Sequence, residues 1–184
     1  MAGSPRHNGN TDILVERALK GAHESGADVV LVRLRDLSID HCQGCNCCFD
    51  AGECRIDDDM THLYQLLDEA DVIILATPVY FSGLSSIMKQ MIDRCQCLWA
   101  RKEVLGARIG SLGRTGALIS VGGQNPPEFK NSISVVKSYF NSIDVDYRAE
   151  LLVPAVDEKG DIMNNPTFLA KAYDMGVSLV SEIR

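Results

Sequence analysis

The sequence has no uninterrupted apolar run near the roughly 20 residues that a membrane-spanning helix needs, so a membrane protein is not expected. It has no basic stripe. Its 18 lysines and arginines are outnumbered by 25 acidic residues, and the net charge of −7 argues against nucleic acid and against an anionic membrane surface. The opening Met1-Ala-Gly-Ser-Pro-Arg6 lacks the apolar centre of a secretory signal, so a cytoplasmic location is expected. There is no internal repeat, no low-complexity tract, and no visible set of acid, base and nucleophile. A hydrophobic content of 46% excludes disorder, and 184 residues suffice for one domain, 1–184, with a proper core.

What the chain does have is cysteine in one place. Five of its seven cysteines lie between Cys42 and Cys54. In a cytoplasmic setting such residues are more often metal ligands or redox groups than disulfides. Read as Cys42, Cys45, Cys48 and Cys54, the spacing is C-x2-C-x2-C-x5-C. Two intervening residues let a tight loop aim neighbouring sulfurs at one centre, and the longer step lets the chain come round to a fourth position. This suits a 4Fe–4S cluster on four thiolates, with Gly44 and Gly52 giving the backbone the needed freedom. Zinc is the rival, although its sites usually show two separated pairs. A loop of unligated thiols is the third reading. Cys47 is left over; a register using it in place of Cys48 would put a single residue, Asn46, between two ligands.

Elsewhere the pattern is α/β. Gly3-Ser-Pro-Arg-His-Asn-Gly-Asn-Thr11 is a turn-forming loop followed at once by a helix with Ile13, Leu14, Ala18 and Ala22 on one face, stopped at Gly26. Such a loop collects free N–H groups at the positive end of a helix dipole, a place for a phosphate. An ordinary helix cap with a solvated loop reads equally well. Val29–Leu34 predicts a buried strand. Asp57-Asp58-Asp59 predicts the start of a helix carrying Met60, Leu63, Leu66, Leu67 and Ala70, and His41 and His62 read as structural or solvated. Asp71–Tyr80 is the strongest strand. A helix with Ile87, Met88, Met91 and Ile92 on one stripe follows it, then Cys95, Cys97 and Trp99, whose thiols read as buried or spare. Arg101–Gly113 reads as a connection. Gly116–Val121 is a further strand closed by Gly122-Gly123-Gln124, a glycine pair that lets backbone approach a flat ligand. A helix beginning at Asn125-Pro-Pro-Glu carries Ile133, Val136 and Phe140. Tyr147–Val156 and Thr167–Ile183 are the last strand and helix. Alternation of this kind means a parallel sheet covered on both sides, and loops at the carboxyl ends of its strands are where ligands bind.

Together these residues resemble the flavodoxin-like NADPH-dependent FMN reductase superfamily, and within it the iron–sulfur flavoproteins. Gly3-Ser4-Pro5-Arg6-x-x-Gly9-Asn10-Thr11 is similar to the family's FMN phosphate loop. Pro78-Val79-Tyr80-Phe81 is similar to its flavin-ring loop, and Ser120-Val121-Gly122-Gly123 to its second ring loop. The cysteine spacing resembles the compact motif that ligates a 4Fe–4S cluster. The resemblance implies a doubly wound flavodoxin-like fold with FMN held by Ser4, Arg6, Asn10, Thr11, Pro78, Val79, Tyr80, Phe81, Gly122 and Gly123. It implies a cluster on Cys42, Cys45, Cys48 and Cys54, and an oxidoreductase passing electrons between NAD(P)H or ferredoxin and an acceptor. A cluster-free NAD(P)H:FMN or quinone reductase is the alternative, as is a flavodoxin-type carrier with no substrate of its own. A homodimer or homotetramer is expected. One departure stands out: the family has an apolar central strand before the phosphate loop, whereas only Met1-Ala2 precede Gly3 here. The expectation is a sheet short of that strand, with the missing residues specified upstream of Met1.

Overall fold

The structure is a computed structural model and describes residues 1–124 and 128–182. Three strands, β1 (Val72–Pro78), β2 (Thr115–Val121) and β3 (Asp146–Val153), form a parallel sheet in that order. The register sets Pro78 beside Val121 and Val121 beside Val153, so all three carboxyl ends reach one edge. The middles of β1 and β2, Ile73–Ala76 and Ala117–Ile119, are apolar throughout, as helices cover both their faces.

Successive residues of β1 serve opposite cores. Ile74 and Ala76 join Ala117, Ile119, Leu14, Ala18, Ala172 and Leu179 on the face covered by α1 (Asn10–Glu24) and α7 (Pro166–Ser181). Ile73 and Leu75 join Leu63, Leu67, Met88, Met91, Val136 and Phe140 on the other face. That face is covered by α3 (Met60–Glu69), α4 (Ser86–Arg94), α5 (Gln96–Glu103) and α6 (Lys130–Ser142). A short helix, α2 (Cys48–Ala51), lies within the cysteine loop. The fold is thus the expected flavodoxin-like α/β arrangement.

α1 and α7 meet backbone to backbone. A Cβ added at Gly176 would stand 1.9 Å from the Ala18 carbonyl oxygen, and one at Gly21 would stand 2.2 Å from that of Tyr173. Only glycines permit this approach. Among the described residues no helix is long and apolar enough to cross a membrane.

Two expectations need correction. Val29–Leu34 is extended but is not a buried strand. Its only ladder contact is a bridge between Ala2 and Arg33, and Val30 is 64% exposed. The physical reason lies beside it. Met1-Ala2 sit where a central strand would run, bridging Arg33 on one side and Ala76 on the other. Ala2 N–H donates to Val32 O at 2.7 Å, and Ala76 N–H donates to Met1 O at 2.9 Å. Two residues cannot satisfy a longer strand's donors and acceptors. A groove of about 540 Å³ lined by Val29, Val30, Val72, Ile74 and Leu179 continues from them. The second correction concerns 101–113: its first residues belong to α5, which buries Cys97, Leu98 and Ala100. Cys95 and Cys97 are buried, as expected. The Asn125–Pro127 helix start and Ile183 lie outside the described residues.

Candidate functional site

The edge where the strands end carries the three loops singled out by sequence. Gly3 N–H donates to Ala76 O at 2.8 Å, which starts the 3–9 loop beside the end of β1. Ser85 fixes the same point from the other side. Its hydroxyl donates to Gly3 O at 2.5 Å and accepts from Met88 N–H at 3.3 Å as the cap of α4, and its own N–H donates to the Thr77 hydroxyl at 3.1 Å. Within the loop, Ser4 Oγ accepts from Arg6 N–H at 3.2 Å. The loop opens α1 through Gly9, with no side chain capping the helix. The N–H groups of the first turn, which no helical carbonyl reaches, therefore face outward at the positive end of the dipole.

Sequence reading missed what holds this loop in shape. Arg35, nearly buried, pairs with Asp12 of the first turn at 2.9 Å. It also donates to Ser4 O at 3.1 Å and to His7 Nδ1 at 3.1 Å. Asp12 in turn accepts from Asn8 N–H at 3.0 Å, where the chain turns with φ 51°. A buried carboxylate or guanidinium alone is costly, and paired in this way both are satisfied.

Arg6 lies exposed and reaches across to Asp157 O at 2.8 Å. Both polar atoms of the Asn10 amide engage the loop after β3. Its Nδ2 donates to Glu158 O at 2.8 Å, and its Oδ1 accepts from Gly160 N–H at 3.0 Å and Ile162 N–H at 3.2 Å. Thr11 is buried in the first turn. After β1, Tyr80 and Gly83 exchange hydrogen bonds of 3.0 and 2.9 Å. The two tip residues have φ of 48° at Phe81 and 59° at Ser82, the geometry of a primed hairpin turn made without glycine. Phe81 at the tip is fully exposed. After β2, Gly122 N–H donates to Val153 O at 2.9 Å. A Cβ on Gly123 would meet Asp157 Cγ at 2.9 Å. The phosphate-type loop, Pro78-Val79-Tyr80-Phe81 and Gly122-Gly123 thus share one edge, where Asp157 joins Arg6 to Gly123.

The cysteine loop lies apart from this edge's backbone ladder, against α4 and α5. Gly44 (φ 60°) and Gly52 (φ 71°) both adopt left-handed backbone. Phe49 of α2 stacks at a tilt on Trp99 of α5, centroids 5.8 Å apart, and Arg101 donates to Gly52 O at 3.4 Å. Burial pushes the Cys48 thiol up, and so do the charges of Cys45, Cys54 and Cys42 beside it. Hydrogen bonds from the Cys47 backbone and side chain lower the Cys45 thiol. The bond shared with Cys45 raises Cys47. Among the described residues no three Cys, His, Asp or Glu side chains converge as a grip on one metal ion. The acidic triplet does start α3, and Asp58 does more. Burial alone would raise its carboxyl, but hydrogen bonds from Arg94, Asp40 N–H and Met60 N–H outweigh that and hold it low. A groove of about 920 Å³ runs from Cys42 and Gly44 along α4 to Tyr139 of α6.

The sequence profile of the NADPH-dependent FMN reductase family matches residues 1–135. The chain is 34% identical over 140 residues to an iron–sulfur flavoprotein of Methanocaldococcus jannaschii, covering 76% of this chain and 69% of that one. It is 29% identical over 182 residues to the iron–sulfur flavoprotein of Methanosarcina thermophila, covering 99% and 88%. With two matches from Archaeoglobus fulgidus the aligned share of the relative is 64% and 60%, so the chain spans about two thirds of such relatives or less. Of solved structures, an NAD(P)H:quinone oxidoreductase from Methanothermobacter marburgensis matches with a TM-score of 0.73 at 15% identity, over 97% of this chain and 92% of that one. That likeness speaks for the fold. The chain therefore belongs to the NADPH-dependent FMN reductase family of flavin-dependent oxidoreductases, and within it is similar to the iron–sulfur flavoproteins.

Proposed function

We propose that this protein is an FMN-dependent oxidoreductase with a 4Fe–4S cluster, passing electrons between NAD(P)H or ferredoxin and an acceptor. The observation that carries the flavin half is the uncapped N-terminus of α1 on the same edge as two loops suited to a flat ring. The α1 N–H groups, Ser4, Thr11 and Arg6 would receive the phosphate, with Asn10 holding the neighbouring loop in place. Pro78–Phe81 and Gly122-Gly123 would flank the ring. Bound FMN exchanges two electrons as hydride or one at a time, and the protein supplies position and electrostatics.

The cluster half rests on the cysteine loop. The C-x2-C-x2-C-x5-C set sits in one loop whose two glycines, Gly44 and Gly52, adopt left-handed backbone. That spacing suits a cubane on four thiolates, whereas zinc sites usually show two separated pairs. Such a cluster supplies one-electron transfer. Cys42, Cys45, Cys48 and Cys54 would hold it, and Cys47 is left over by the spacing. A cluster-free NAD(P)H:FMN or quinone reductase is the competing reading.

We also propose that subunits pair over the flavin edge as a homodimer or homotetramer, because Phe81 and Tyr80 stand uncovered there. Sedimentation of the FMN-loaded protein should show a dimer or larger; monomer alone at micromolar concentration would reject this.

Two further outcomes follow. Arg6→Ala should weaken FMN about tenfold or more and riboflavin far less, since only FMN carries the phosphate to which a charged hydrogen bond is made. Titration by flavin fluorescence measures both, and equal losses would remove Arg6 from the phosphate site. Anaerobic reconstitution followed by iron and sulfide analysis should load the wild type with four irons per chain. Single Cys→Ser changes at positions 42, 45, 48 and 54 should abolish loading, while those at 47, 95 and 97 should not. Iron content unchanged in all seven would remove the loop as a cluster site and favour the cluster-free reading.

A further inference from the structure

Both ends of the cysteine loop are joined through one side chain. Arg94 closes α4, and its guanidinium is fully enclosed. Nη1 donates to Asp40 O at 2.9 Å, and Nη2 to Ile56 O at 3.3 Å. These carbonyls stand two residues before Cys42 and two residues after Cys54, the outermost cysteines of the set. The same guanidinium grips the Asp58 carboxylate with both nitrogens, at 2.5 and 3.1 Å. Asp58 Oδ2 also accepts from Asp40 N–H at 2.8 Å, so carboxylate and guanidinium together bond both backbone groups of Asp40. Asp58 Oδ1 accepts from Met60 N–H at 3.0 Å, which ties the clasp to α3. Gln90, one turn earlier on α4, donates to Ile39 O at 2.6 Å. The Arg94 carbonyl accepts from the Tyr64 hydroxyl at 2.9 Å, so the backbone bearing the clasp is itself held by α3.

A planar guanidinium with five donors suits this task, because it can bond a carboxylate in a fork and still reach two carbonyls. A lysine could not hold the same set. The cysteine loop contacts the core mainly through α2, and its thiols are half-buried or exposed. Between its ends the loop is held to α5 by Phe49 on Trp99 and by Arg101 at Gly52 O.

We propose that the Arg94–Asp58 pair is a positioning clasp that sets the separation of Asp40 and Ile56, and with it the placement of Cys42 and Cys54, so that the thiols are presented ready for cluster insertion. The proposal rests on the cluster reading only for its purpose; the clasp's hold on the loop is a property of the cluster-free chain. Neither residue touches the cluster in this scheme. They act on the ligands through the backbone, as outer partners of metal ligands do.

The test uses the full chain. Asp58→Asn keeps the shape of the side chain but removes the forked ion pair. Arg94→Lys is the second variant, keeping the charge but losing the fork. Asp93→Asn, which removes an exposed pair with Lys89 on the same helix, is the control. Cluster-free protein is treated with iodoacetamide, and alkylation at each cysteine is followed by peptide mass. In both clasp variants, Cys42 and Cys54 should react about tenfold faster, the effect of losing one charged hydrogen bond on a local opening. Cys95 and Cys97, buried in the core, should stay as slow as in the wild type. After anaerobic reconstitution, the clasp variants should retain iron about tenfold more weakly, within the range seen for outer partners of metal ligands. The control should match the wild type in both measurements.

Unchanged alkylation at Cys42 and Cys54 in both variants would overturn the proposal. So would a parallel rise at Cys95 and Cys97, or failure of both variants to fold, since either would make the pair an ordinary core contact. Wild-type protein that takes up no iron would defeat the cluster reading, while the alkylation contrast would still decide whether the clasp holds the loop.

Discussion

Parallel strands deliver their carboxyl ends to one edge, and the chemistry of this protein depends on that constraint. The alignment of Pro78, Val121 and Val153 in one row brings together loops that lie far apart in sequence. Each loop then needs only a short chain to reach the others. Asp157 shows how tightly they are joined: its carbonyl takes the Arg6 guanidinium, and its side chain fills the space beside Gly123. A change in strand register would move all of these together, since each loop begins where a ladder ends.

Buried guanidinium groups provide the second level of order. Arg35 shapes the loop before α1, and Arg94 secures the cysteine loop. Arg114 does comparable work beneath the sheet's amino end, with no acidic partner at hydrogen-bond distance among the described residues. It donates to the carbonyls of Ala70 at 2.9 Å, Ile109 at 3.1 Å and Ile143 at 2.9 Å, and to that of Leu67. Burial lowers its pKa, while the nearby charges of Asp68, Asp144 and Asp71 act in the opposite direction. In each case irregular backbone that would otherwise lack donors receives them from one side chain.

Much of the architecture was legible because burial on two faces leaves a plain signature. Ile73–Ala76 and Ala117–Ile119 are apolar without interruption, and the helix faces recur at helical spacing. The same signature misled at Val29–Leu34, where β-branched residues await a neighbour that Met1-Ala2 only begin to provide. Strand formation there depends on what lies alongside, which no local pattern encodes. The three loops and the cysteine set were visible as local motifs. Arg35, Asp12, Arg94 and Asp58 were not, since an Arg35–Asp12 bond spans 23 positions and an Arg94–Asp58 bond spans 36. Each looked like an ordinary surface charge, and only the fold reveals that they are enclosed. Asn10 was legible as part of the loop, yet its bonds to residues 150 positions away could not be foreseen.

The backbone contact between α1 and α7 bears on when the site forms during folding. The loop from Gly3 to Gly9 is short and local, but the helix it opens is seated on the final helix through Gly21 and Gly176, and Asn10 is clasped by Gly160 and Ile162. Contacts of such sequence separation carry a large loop-closure cost and consolidate late. A chain with its sheet assembled but α7 undocked would carry every residue of the phosphate-type loop and still lack the surface that holds it. The surface around that loop thus depends on the seating of the final helix, even though the motif itself stands at the beginning of the sequence.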